Sequence, residues 1–456
     1  MKTDVIVIGS GQAGVPLATR LAEAGRRVVI AERKKLGGTC VNYGCTPTKT
    51  MVASAHAAHV ARTAARFGVK AGPVKIDMAA VVDRKDRIVR QWREGVKKRL
   101  QRTAPRLTLV RGHARFIGPR LVEIAGERYE ADVVIINVGA RPAVPPIAGL
   151  DDVPWLDNSR IMQLRRVPDH LIVLGGGYIG CEFAQMFRRF GAKVTVADRD
   201  ERLLSTEEPE ASAALEGAFR AEGIRLESRA TAKAVSAGTR AVTVRFESGK
   251  KVTGSHLLVA VGRRPNTDDL GAEAGGIRLD AKGYIEVDER YRTSADGVYA
   301  VGDCTPGPQF THASWDDHRI LFEWLQGRGT RTRKDRLVPI TAFTDPQVAR
   351  IGLTERDARA RGRVPETATM RFGRIARAVE TDQTAGTMKI LLDAKTEQVL
   401  GVSIVGAEAG ELIHIFAPVM VAGLSARALV DAEYVHPTFA EGVQSLVMSL
   451  GRYAIE

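Results

Sequence analysis

Apolar runs and glycine-rich turns alternate along the chain in an order that predicts the same strand–helix–strand unit twice. The first unit comprises an apolar strand at 4–8, the turn GSGQAG at 9–14, a helix to Ala24 that Gly25 ends, and a strand at 27–31. The second comprises a strand at 171–174, the turn GGGYIG at 175–180, a helix to Phe190 that Gly191 ends, and a strand at 193–197. An acid follows each unit at the same distance from the third glycine, Glu32 in the first and Asp198 in the second. Two matching copies are far more specific than one glycine motif.

Each unit predicts a site for a dinucleotide. A glycine turn lets the backbone approach a pyrophosphate, the helix N-terminus supplies amide donors and a positive dipole end, and the acid accepts a hydrogen bond from a ribose hydroxyl. The alternative is a pair of doubly wound domains whose glycine turns bind no dinucleotide.

The rest of the chain predicts a third domain of another kind. Apolar strands at 132–137 and 257–261 each run into a glycine, basic residues and proline, which indicates crossings between domains at VGARP (138–142) and VGRRP (261–265). From Val338 onward, the segment FTDPQVARIG at 343–352, alternating strands at 389–392 and 399–405 and helices from Gly410 predict an antiparallel sheet with helices. The predicted fold class is therefore α/β, with two doubly wound dinucleotide-binding domains and an α+β C-terminal domain.

The distribution of charge along the chain limits the kinds of ligand that the protein can be expected to bind. With 456 residues, 44% apolar residues and a formal net charge of +14, the sequence predicts a multidomain protein with a basic surface. In the densest basic stretch, 84–106, an apolar stripe predicts a helix whose charges face solvent; it consists of Ile88, Trp92, Val96 and Leu100. A patch for acidic ligands is the alternative, and no nucleic-acid recognition motif accompanies the charge.

Membrane insertion and a disulfide scaffold are both disfavoured. No apolar run approaches the ~18 to 20 residues of a membrane span, and the chain starts with a strand and a glycine turn, so we expect a cytoplasmic protein that binds neither membrane nor nucleic acid. Four cysteines are too few for a disulfide scaffold. Cys181 and Cys304 have no close partner in sequence and are expected to be buried apolar residues. The close pair Cys40 and Cys45 indicates metal or redox chemistry.

The cysteine pair lies in the segment LGGTCVNYGCTPTK at 36–49. In an ideal helix, Cα atoms five residues apart are roughly 8.7 Å apart, beyond the ~7 Å limit for a disulfide. The segment must therefore distort, which Gly44 makes easy, and Pro47 stands where a helix would begin. A thiol at a helix N-terminus ionises more readily, as redox chemistry requires. Zinc would need more ligands, and the nearest histidines, His56 and His59, lie among alanines as surface or packing residues, so no metal site is predicted.

These motifs resemble those of the class I flavoprotein pyridine nucleotide-disulfide oxidoreductases, the family of glutathione reductase, dihydrolipoamide dehydrogenase and mercuric reductase. The resemblance covers essentially the whole chain. Its motifs, in order, are GSGQAG from Gly9 with Glu32, CVNYGC from Cys40 with Lys49, GGGYIG from Gly175 with Glu182, TSADGVYAVGD at 293–303, and HPTFAE at 436–441.

The resemblance implies an FAD-dependent, NAD(P)H-using oxidoreductase that works as a homodimer. The implied FAD-binding domain spans 1–150 and returns at 267–336, the NAD(P)-binding domain spans 151–266, and a dimerisation domain spans 337–456. The implied cofactor-binding residues are Gly9, Gly11, Gly14, Glu32, Gly38, Thr39, Lys49, Gly139, Gly175, Gly177, Gly180, Asp198, Gly262, Gly302 and Asp303. Lys49 and Glu182 would pair beside the flavin, where a cation stabilises the reduced ring; the alternative is two separate surface charges.

The choice of nicotinamide coenzyme depends on the end of the second unit. Asp198 favours NADH, because its carboxylate repels the extra phosphate of NADPH. Arg199 and Arg202 follow closely and could hold that phosphate, so NADPH stays open.

The implied reaction passes electrons from the nicotinamide through the flavin to a redox disulfide between Cys40 and Cys45. Cys45 faces the flavin, and Cys40 attacks the substrate as a thiolate, after which Cys45 resolves the mixed disulfide. His436 of the partner subunit, oriented by Glu441, is the implied general acid. The alternative for His436 is a structural residue that caps a helix before proline.

The sequence leaves the electron acceptor open. The segments GCTPTKT at 44–50 and PPIAGLDDVPWLDN at 145–158 are similar to mercuric-reductase-like members, but GRYAIE at 451–456 has no cysteine pair, and His436 stands where the mercuric enzymes usually carry tyrosine. We therefore expect a small disulfide or a thiol-reactive oxidant. The alternatives are a mercuric or other metal-ion reductase, a dihydrolipoamide dehydrogenase of a multienzyme complex, a hypothiocyanous acid or reactive-chlorine-type reductase, and a non-catalytic flavin sensor.

Overall fold

A computed structural model describes residues 1–453, and its elements confirm the predicted α/β fold class with an α+β C-terminal part. Residues 454–456, which complete the GRYAIE segment, lie outside the described residues. In the described part of the chain, no helix is both long and apolar enough to cross a membrane.

The predicted elements form, with shifts at their ends; the strand predicted at 132–137, for example, begins earlier, at Glu127. The helices α1 to α13 are Gly14–Glu23, Gly38–Tyr43, Cys45–Thr63, Met78–Arg102, Asn158–Ile161, Tyr178–Phe190, Pro209–Ala221, Thr311–Leu325, Glu355–Ala360, Ala376–Glu380, Ala409–Val421, Arg427–Asp431 and Glu441–Met448. The strands β1 to β21 are Lys2–Ile8, Val28–Glu32, Leu107–Arg111, Ala114–Gly118, Leu121–Ile124, Glu127–Ile136, Ala140–Pro142, His170–Leu174, Lys193–Ala197, Arg225–Glu227, Ala232–Ala237, Val242–Phe246, Lys251–Gly254, His256–Val259, Arg263–Pro265, Val298–Ala300, Ile340–Ala342, Gln347–Gly352, Glu366–Arg371, Thr387–Leu392 and Val399–Gly406. Short 3₁₀ turns lie at Ala64–Phe67, Phe372–Arg374 and Gly451–Tyr453.

The chain forms two compact units, each assembled from separate stretches of sequence. The first unit comprises residues 1–51, 79–143 and 262–336. The second comprises residues 52–78, 144–261 and 337 onward.

The first unit is built on a seven-stranded sheet in the order β3-β2-β1-β6-β5-β4, with β16 also paired to β6. The pairs β1–β2, β2–β3, β1–β6 and β6–β16 are parallel. Side chains of β1 alternate between two cores, Val5 and Val7 in one and Ile6 and Ile8 in the other. Burial on both faces is what a parallel sheet covered on both sides requires, and it explains why this strand is a continuous apolar run.

The second unit contains three sheets. A parallel sheet in the order β10-β9-β8-β14 carries the second glycine turn at the end of β8. An antiparallel three-stranded sheet follows the order β11-β12-β13, and the C-terminal sheet follows β17-β18-β21-β20-β19 with antiparallel pairing throughout. The C-terminal sheet is the antiparallel sheet that the sequence predicts from Val338 onward.

The predicted distortion of the cysteine segment occurs at Gly44. Helix α2 ends at Tyr43, and Gly44 has φ −125° and ψ −118°, outside the helical region, before α3 begins. Helix α3 starts at Cys45, earlier than the predicted start at Pro47. The earlier start is allowed because proline needs no backbone donor in the first turn of a helix.

The apolar stripe predicted for the basic helix α4 is wrong in part. Trp92 is 59% exposed, whereas Val82 and Val89 are buried together with Lys85, which is 2% exposed. Residues four apart are displaced by roughly 40° around a helix of 3.6 residues per turn, so a stripe at every fourth residue drifts off the buried face. The Lys85 ammonium lies 2.6 Å from the carboxylate of Asp86. Most other basic side chains of α4 are exposed, as predicted.

Candidate active site

The first glycine turn is shaped by close contacts between backbone segments. Gly9 has φ +105°, and a Cβ there would lie 2.3 Å from the carbonyl oxygen of Asn137. A Cβ on Gly14 would lie 2.1 Å from the carbonyl oxygen of Gly9. Neither position accepts a side chain unless the backbone moves, so the turn from β1 into α1 requires glycine at both.

The second glycine turn repeats these contacts and adds an open position. A Cβ on Gly175 would lie 2.4 Å from the carbonyl oxygen of Ala260, and one on Gly180 would lie 1.9 Å from that of Gly175. Gly177 differs, because its φ is −76° and a Cβ there would meet nothing within 4 Å. The packing of the chain does not require glycine at Gly177, so its lack of a side chain suits the approach of a pyrophosphate to the N-terminus of α6.

The two acids hold their turns in the same way. Glu32 accepts hydrogen bonds from the amide of Ser10 at 3.0 Å and from the amide of Lys34 at 2.7 Å. Asp198 accepts from the amide of Gly176 and from the amide of Asp200, the latter at 2.7 Å. In both units the carboxylate thus bridges the residue after the first glycine and the residue two positions beyond the acid. The two units therefore match in geometry as well as in spacing.

Asn137, which the sequence analysis did not single out, links three parts of the first unit. Its Oδ1 accepts from the amide of Gly14 at 2.9 Å, and its Nδ2 donates to the carbonyl of Val301 at 3.0 Å. The residue is 7% exposed. Asn137 therefore ties the N-terminus of α1 to the segment that leads into Gly302 and Asp303. Its signal in the sequence is a polar residue at the end of an apolar strand.

Asp303 lies beside a second residue that sequence reasoning missed. Burial raises the pKa of the Asp303 carboxyl, and the guanidinium of Arg263, 3.8 Å away, opposes that rise. The Nε of Arg263 is buried and has no hydrogen-bond partner among the described residues. A buried donor of this kind suits a polar or anionic ligand. The VGRRP motif contains Arg263, but the sequence analysis used that motif only to place a domain crossing.

The other predicted glycines lie where the backbone takes unusual conformations. Gly38 has φ +62°, and a Cβ there would lie 2.8 Å from the Cα of Gly11, so the first residue of α2 lies against the first glycine turn. Gly139, Gly262 and Gly302 have φ of +67°, +139° and +76°. All of them belong to the first unit.

Cys45 lies where two helices begin. It is the first residue of α3, and its Sγ lies 3.0 Å from the hydroxyl oxygen of Thr311, the first residue of α8. The partial positive charge at both helix N-termini favours a negative charge on this sulfur. The sequence analysis did not predict Thr311, since nothing in the local pattern relates it to a cysteine so distant along the chain.

Cys40 lies in α2, and both members of the pair are free thiols in this structure. A hydrogen bond with Cys45 and burial raise the pKa of Cys40, whereas a hydrogen bond with Thr311 and the charge of Lys49 oppose that rise. Cys45 is more exposed than Cys40 and lies at the two helix starts, so it is the better placed of the two sulfurs to carry a negative charge. Cys181 and Cys304 are fully buried, as expected.

A buried aspartate sets the position of α8. Asp317 accepts from the amide of Gly302 and from the hydroxyl of Tyr291, both at 2.7 Å, and pairs with Arg336 at 2.5 Å. In the first turn of the same helix, the hydroxyl of Ser314 lies 3.5 Å from the carboxylate of Asp303. These contacts fix the start of α8, and with it Thr311, to the turn that carries Asp303.

In the second unit, His436 and Glu441 form the predicted dyad. The Nδ1 of His436 lies 2.8 Å from the carboxylate of Glu441, the first residue of α13. The His436 side chain is 71% exposed. The carboxylate orients the ring through Nδ1, which leaves Nε2 to exchange a proton with another group.

Glu182 and Lys49 are described within different compact units. Glu182 is 5% exposed and accepts a hydrogen bond from the amide of Phe343 at 2.9 Å. Lys49 lies in α3, about one turn after Cys45. The family resemblance carries the pairing of these two residues, and that pairing stays a prediction.

The described residues fit the two predicted cofactors. In the first unit, FAD would meet the glycine turn at the α1 N-terminus, the Glu32 carboxylate and, at the end of β16, Asp303 with the unpartnered Nε of Arg263. In the second unit, the turn from Gly175 with Asp198 has the same geometry. Among residues 1–453, no group of three or more histidine, cysteine or acidic side chains is arranged to hold a metal ion.

Comparison with known proteins agrees with this geometry. Residues 3–317 match the family described as pyridine nucleotide-disulphide oxidoreductase, and residues 338–447 match the dimerisation domain of that family. The mercuric reductase of Lysinibacillus sphaericus is 33% identical over 98% of this chain and 83% of its own length. The dihydrolipoyl dehydrogenase of Thermus scotoductus is 35% identical over 100% of this chain and 99% of its own.

A third relative is known both by sequence and by structure. The probable pyridine nucleotide-disulfide oxidoreductase RclA of Escherichia coli is 35% identical over 98% of this chain and 98% of its own. The solved Cu(II) complex of the HOCl-induced flavoprotein disulfide reductase RclA from Escherichia coli matches with a TM-score of 0.91 and 34% identity, over 99% of this chain and 100% of that chain.

The chain therefore belongs to the pyridine nucleotide-disulfide oxidoreductase family. It is an NAD(P)H-dependent flavoprotein disulfide oxidoreductase, and its C-terminal part is the dimerisation domain of that family.

Replacement of Gly14 by alanine is expected to abolish FAD binding, because the added methyl group would lie 2.1 Å from the carbonyl oxygen of Gly9. The matched control is Gly95→Ala in α4, where a Cβ meets nothing within 4 Å. The control should bind FAD normally and gain up to about 1 kcal/mol of stability, since alanine favours helix. Flavin absorbance per chain and thermal unfolding measure both effects. A full complement of FAD in Gly14→Ala would contradict the assignment of the first glycine turn to FAD binding.

Proposed function

We propose that the protein reduces a small disulfide or a thiol-reactive oxidant with electrons from NAD(P)H. The observation that carries the proposal is the thiol pair, in which the Sγ of Cys45 lies at the first residues of two helices and Cys40 is its close neighbour. Bound FAD would supply the relay that carries the electrons of the nicotinamide hydride to the disulfide.

The reductive half of the proposed cycle ends with a thiolate on Cys45 and a neutral thiol on Cys40. The Cys40–Cys45 disulfide takes up two electrons and one proton, which together are the equivalent of one hydride, and its S–S bond breaks. The negative charge stays on Cys45, where the helix N-termini stabilise it, and the proton goes to Cys40.

The oxidative half then needs a base for Cys40, which changes one step of the expectation from sequence. Burial and the hydrogen bond with Cys45 raise the pKa of Cys40, so we propose that a base assists its attack. We assign the base to His436 of the partner subunit, which takes the Cys40 proton as the sulfur bonds to the substrate disulfide, and gives that proton to the departing thiolate. Glu441 fixes the imidazole for this exchange.

Cys45 closes the cycle. Its thiolate attacks the Cys40 sulfur of the mixed disulfide, reforms the enzyme disulfide and releases a second thiolate, which takes a proton from solvent. In the balanced reaction, one NAD(P)H and one proton convert one disulfide to two thiols.

The relatives guide the choice of acceptor. Because the E. coli relative is described as HOCl-induced, we place a reactive-chlorine-type oxidant, or a disulfide that such an oxidant produces, first among acceptors. A metal ion is the second candidate, since the relatives include a mercuric reductase. The His436–Glu441 dyad favours the first candidate, because proton transfer assists a departing thiol and is not needed to reduce a metal ion.

A panel of acceptors separates these candidates. Small disulfides, lipoamide, a reactive-chlorine oxidant such as a chloramine, hypothiocyanite, Hg(II) and Cu(II) would each be assayed with NADH and with NADPH. The proposal expects the highest kcat/KM with a disulfide or an oxidant that reacts with thiols. Preference for lipoamide, with co-purification of a lipoyl-bearing assembly, would instead support the dihydrolipoamide dehydrogenase alternative, and no turnover with any acceptor would support a sensor.

The first prediction of this proposal concerns the spectrum of the reduced enzyme. Reduction by NAD(P)H should produce a long-wavelength charge-transfer absorbance, because the Cys45 thiolate is an electron donor beside the flavin. Cys45→Ser should abolish this absorbance, whereas Cys40→Ser should show it in the resting enzyme. If both variants keep wild-type spectra and disulfide turnover, the pair is not the redox centre.

A second prediction concerns the coenzyme. Asp198→Asn should raise the NADPH/NADH ratio of kcat/KM, because it removes the negative charge that repels the 2′-phosphate. Arg199→Ala should lower the same ratio, since the Arg199 side chain is 81% exposed and its ion pair with Asp200, at 3.8 Å, leaves the guanidinium accessible to a phosphate. Steady-state rates with both coenzymes give the ratio. An unchanged ratio in both variants would show that the preference is set elsewhere.

A third prediction concerns the dimer. His436→Ala should slow disulfide turnover by about 10²- to 10⁴-fold and leave flavin reduction by NADH nearly intact, because a general acid and base serves only the oxidative half. Inactive Cys40→Ser chains mixed with inactive His436→Ala chains should regain activity, because one of the two sites in a heterodimer then has both groups. No recovery in verified heterodimers would contradict a shared active site.

A further inference from the structure

The side chain of Thr311 meets the thiol pair directly. Its hydroxyl oxygen lies 3.0 Å from the Sγ of Cys45, and it also makes a hydrogen bond with Cys40. Cys40, Cys45 and Thr311 belong to the same compact unit. One hydroxyl therefore forms hydrogen bonds with both sulfurs that the proposed function uses.

The direction of the hydrogen bond follows from the charge on Cys45. Between a thiol and a hydroxyl either atom can donate, but a thiolate has no hydrogen to give. When Cys45 is ionised, the hydroxyl of Thr311 has to be the donor. A donor at 3.0 Å from a charged sulfur stabilises the charge more than it stabilises the neutral thiol.

The position of Thr311 at the start of α8 leaves its hydroxyl available to the thiol pair. Thr311 is the first residue of the helix, Phe310 is its N-cap, and no side chain caps the helix by a hydrogen bond. The hydroxyl is therefore not used to satisfy the backbone at the helix start, where threonine often serves. The helix itself is held in place by Asp317 and Ser314, so the hydroxyl does not have to hold it.

We propose that Thr311 is a catalytic residue of the thiol pair, whose hydroxyl donates to the Cys45 thiolate and stabilises its negative charge. This inference rests on the proposed function of the pair. Among the described residues, the charged and titratable groups recorded at the pair are the two thiols themselves and Lys49 on α3, whose charge opposes the rise in the pKa of Cys40.

The test titrates Cys45 alone. In FAD-loaded Cys40→Ser protein, the long-wavelength absorbance is followed against pH, and the rate at which iodoacetamide alkylates Cys45 is followed in parallel. Adding Thr311→Val, which has nearly the same shape but no hydroxyl, should move both titrations up by about one pH unit, or roughly ten-fold less thiolate at a given pH below the midpoint. Thr311→Ser in the same parent keeps the hydroxyl and should leave both titrations close to those of Cys40→Ser.

A matched control excludes a general loosening of the fold. Thr305 is a buried threonine whose hydroxyl donates to the carbonyl of Gly302 at 3.0 Å, and Thr305→Val should leave both titrations in place. An unchanged titration in Thr311→Val, or equal shifts in Thr311→Val and Thr311→Ser, would overturn the proposal. If the Cys40→Ser parent shows no long-wavelength absorbance at any pH, the thiolate–flavin contact of the proposed function fails, while the alkylation profiles still decide the role of Thr311.

Discussion

Electron transfer through this protein, as proposed, depends on a stable negative charge on the sulfur of Cys45. A thiolate persists inside a protein only where donors or positive charge surround it. Here α3 and α8 both begin at that sulfur, and Thr311 places a hydroxyl 3.0 Å from it. Helix α8 starts at this point because Asp317 fixes it to the turn at Gly302. The buried carboxylate of Asp317, six residues after Thr311 on the same helix, thus supports the redox sulfur through the position of that helix.

The same interaction, between a negatively charged group and the N-terminus of a helix, is expected at both nucleotide turns. In each turn the first glycine approaches a neighbouring strand so closely that only glycine fits, and the helix N-terminus is then presented at the end of the sheet. Glu32 and Asp198 tie each turn to the backbone beyond the acid, so the turns are rigid before a ligand arrives. Preorganised turns lose less entropy when they bind a dinucleotide.

The features that sequence predicts well are those set by neighbouring residues. Both glycine turns and the break at Gly44 depend on local backbone conformation, and each forms as predicted. The apolar stripe predicted for α4 is wrong at Trp92, because side chains at every fourth residue move progressively around a helix of 3.6 residues per turn and off its buried face. Asn137, Asp317 and Thr311 act on residues far along the chain, so only the folded sheet brings them to their partners. The raised pKa of Cys40 likewise depends on the contact with Cys45 that folding creates.

An anaerobic reductive titration with NADH tests the central claim, that Cys40 and Cys45 form the redox centre beside the flavin, most directly. The account predicts that the enzyme takes up twice as many electrons as its flavin alone, since a disulfide is also a two-electron couple. Alkylation after the first half of the titration should then label Cys40 and Cys45 while the flavin is still oxidised. The account would be contradicted if the flavin bleached with the first equivalent and both cysteines stayed unchanged throughout.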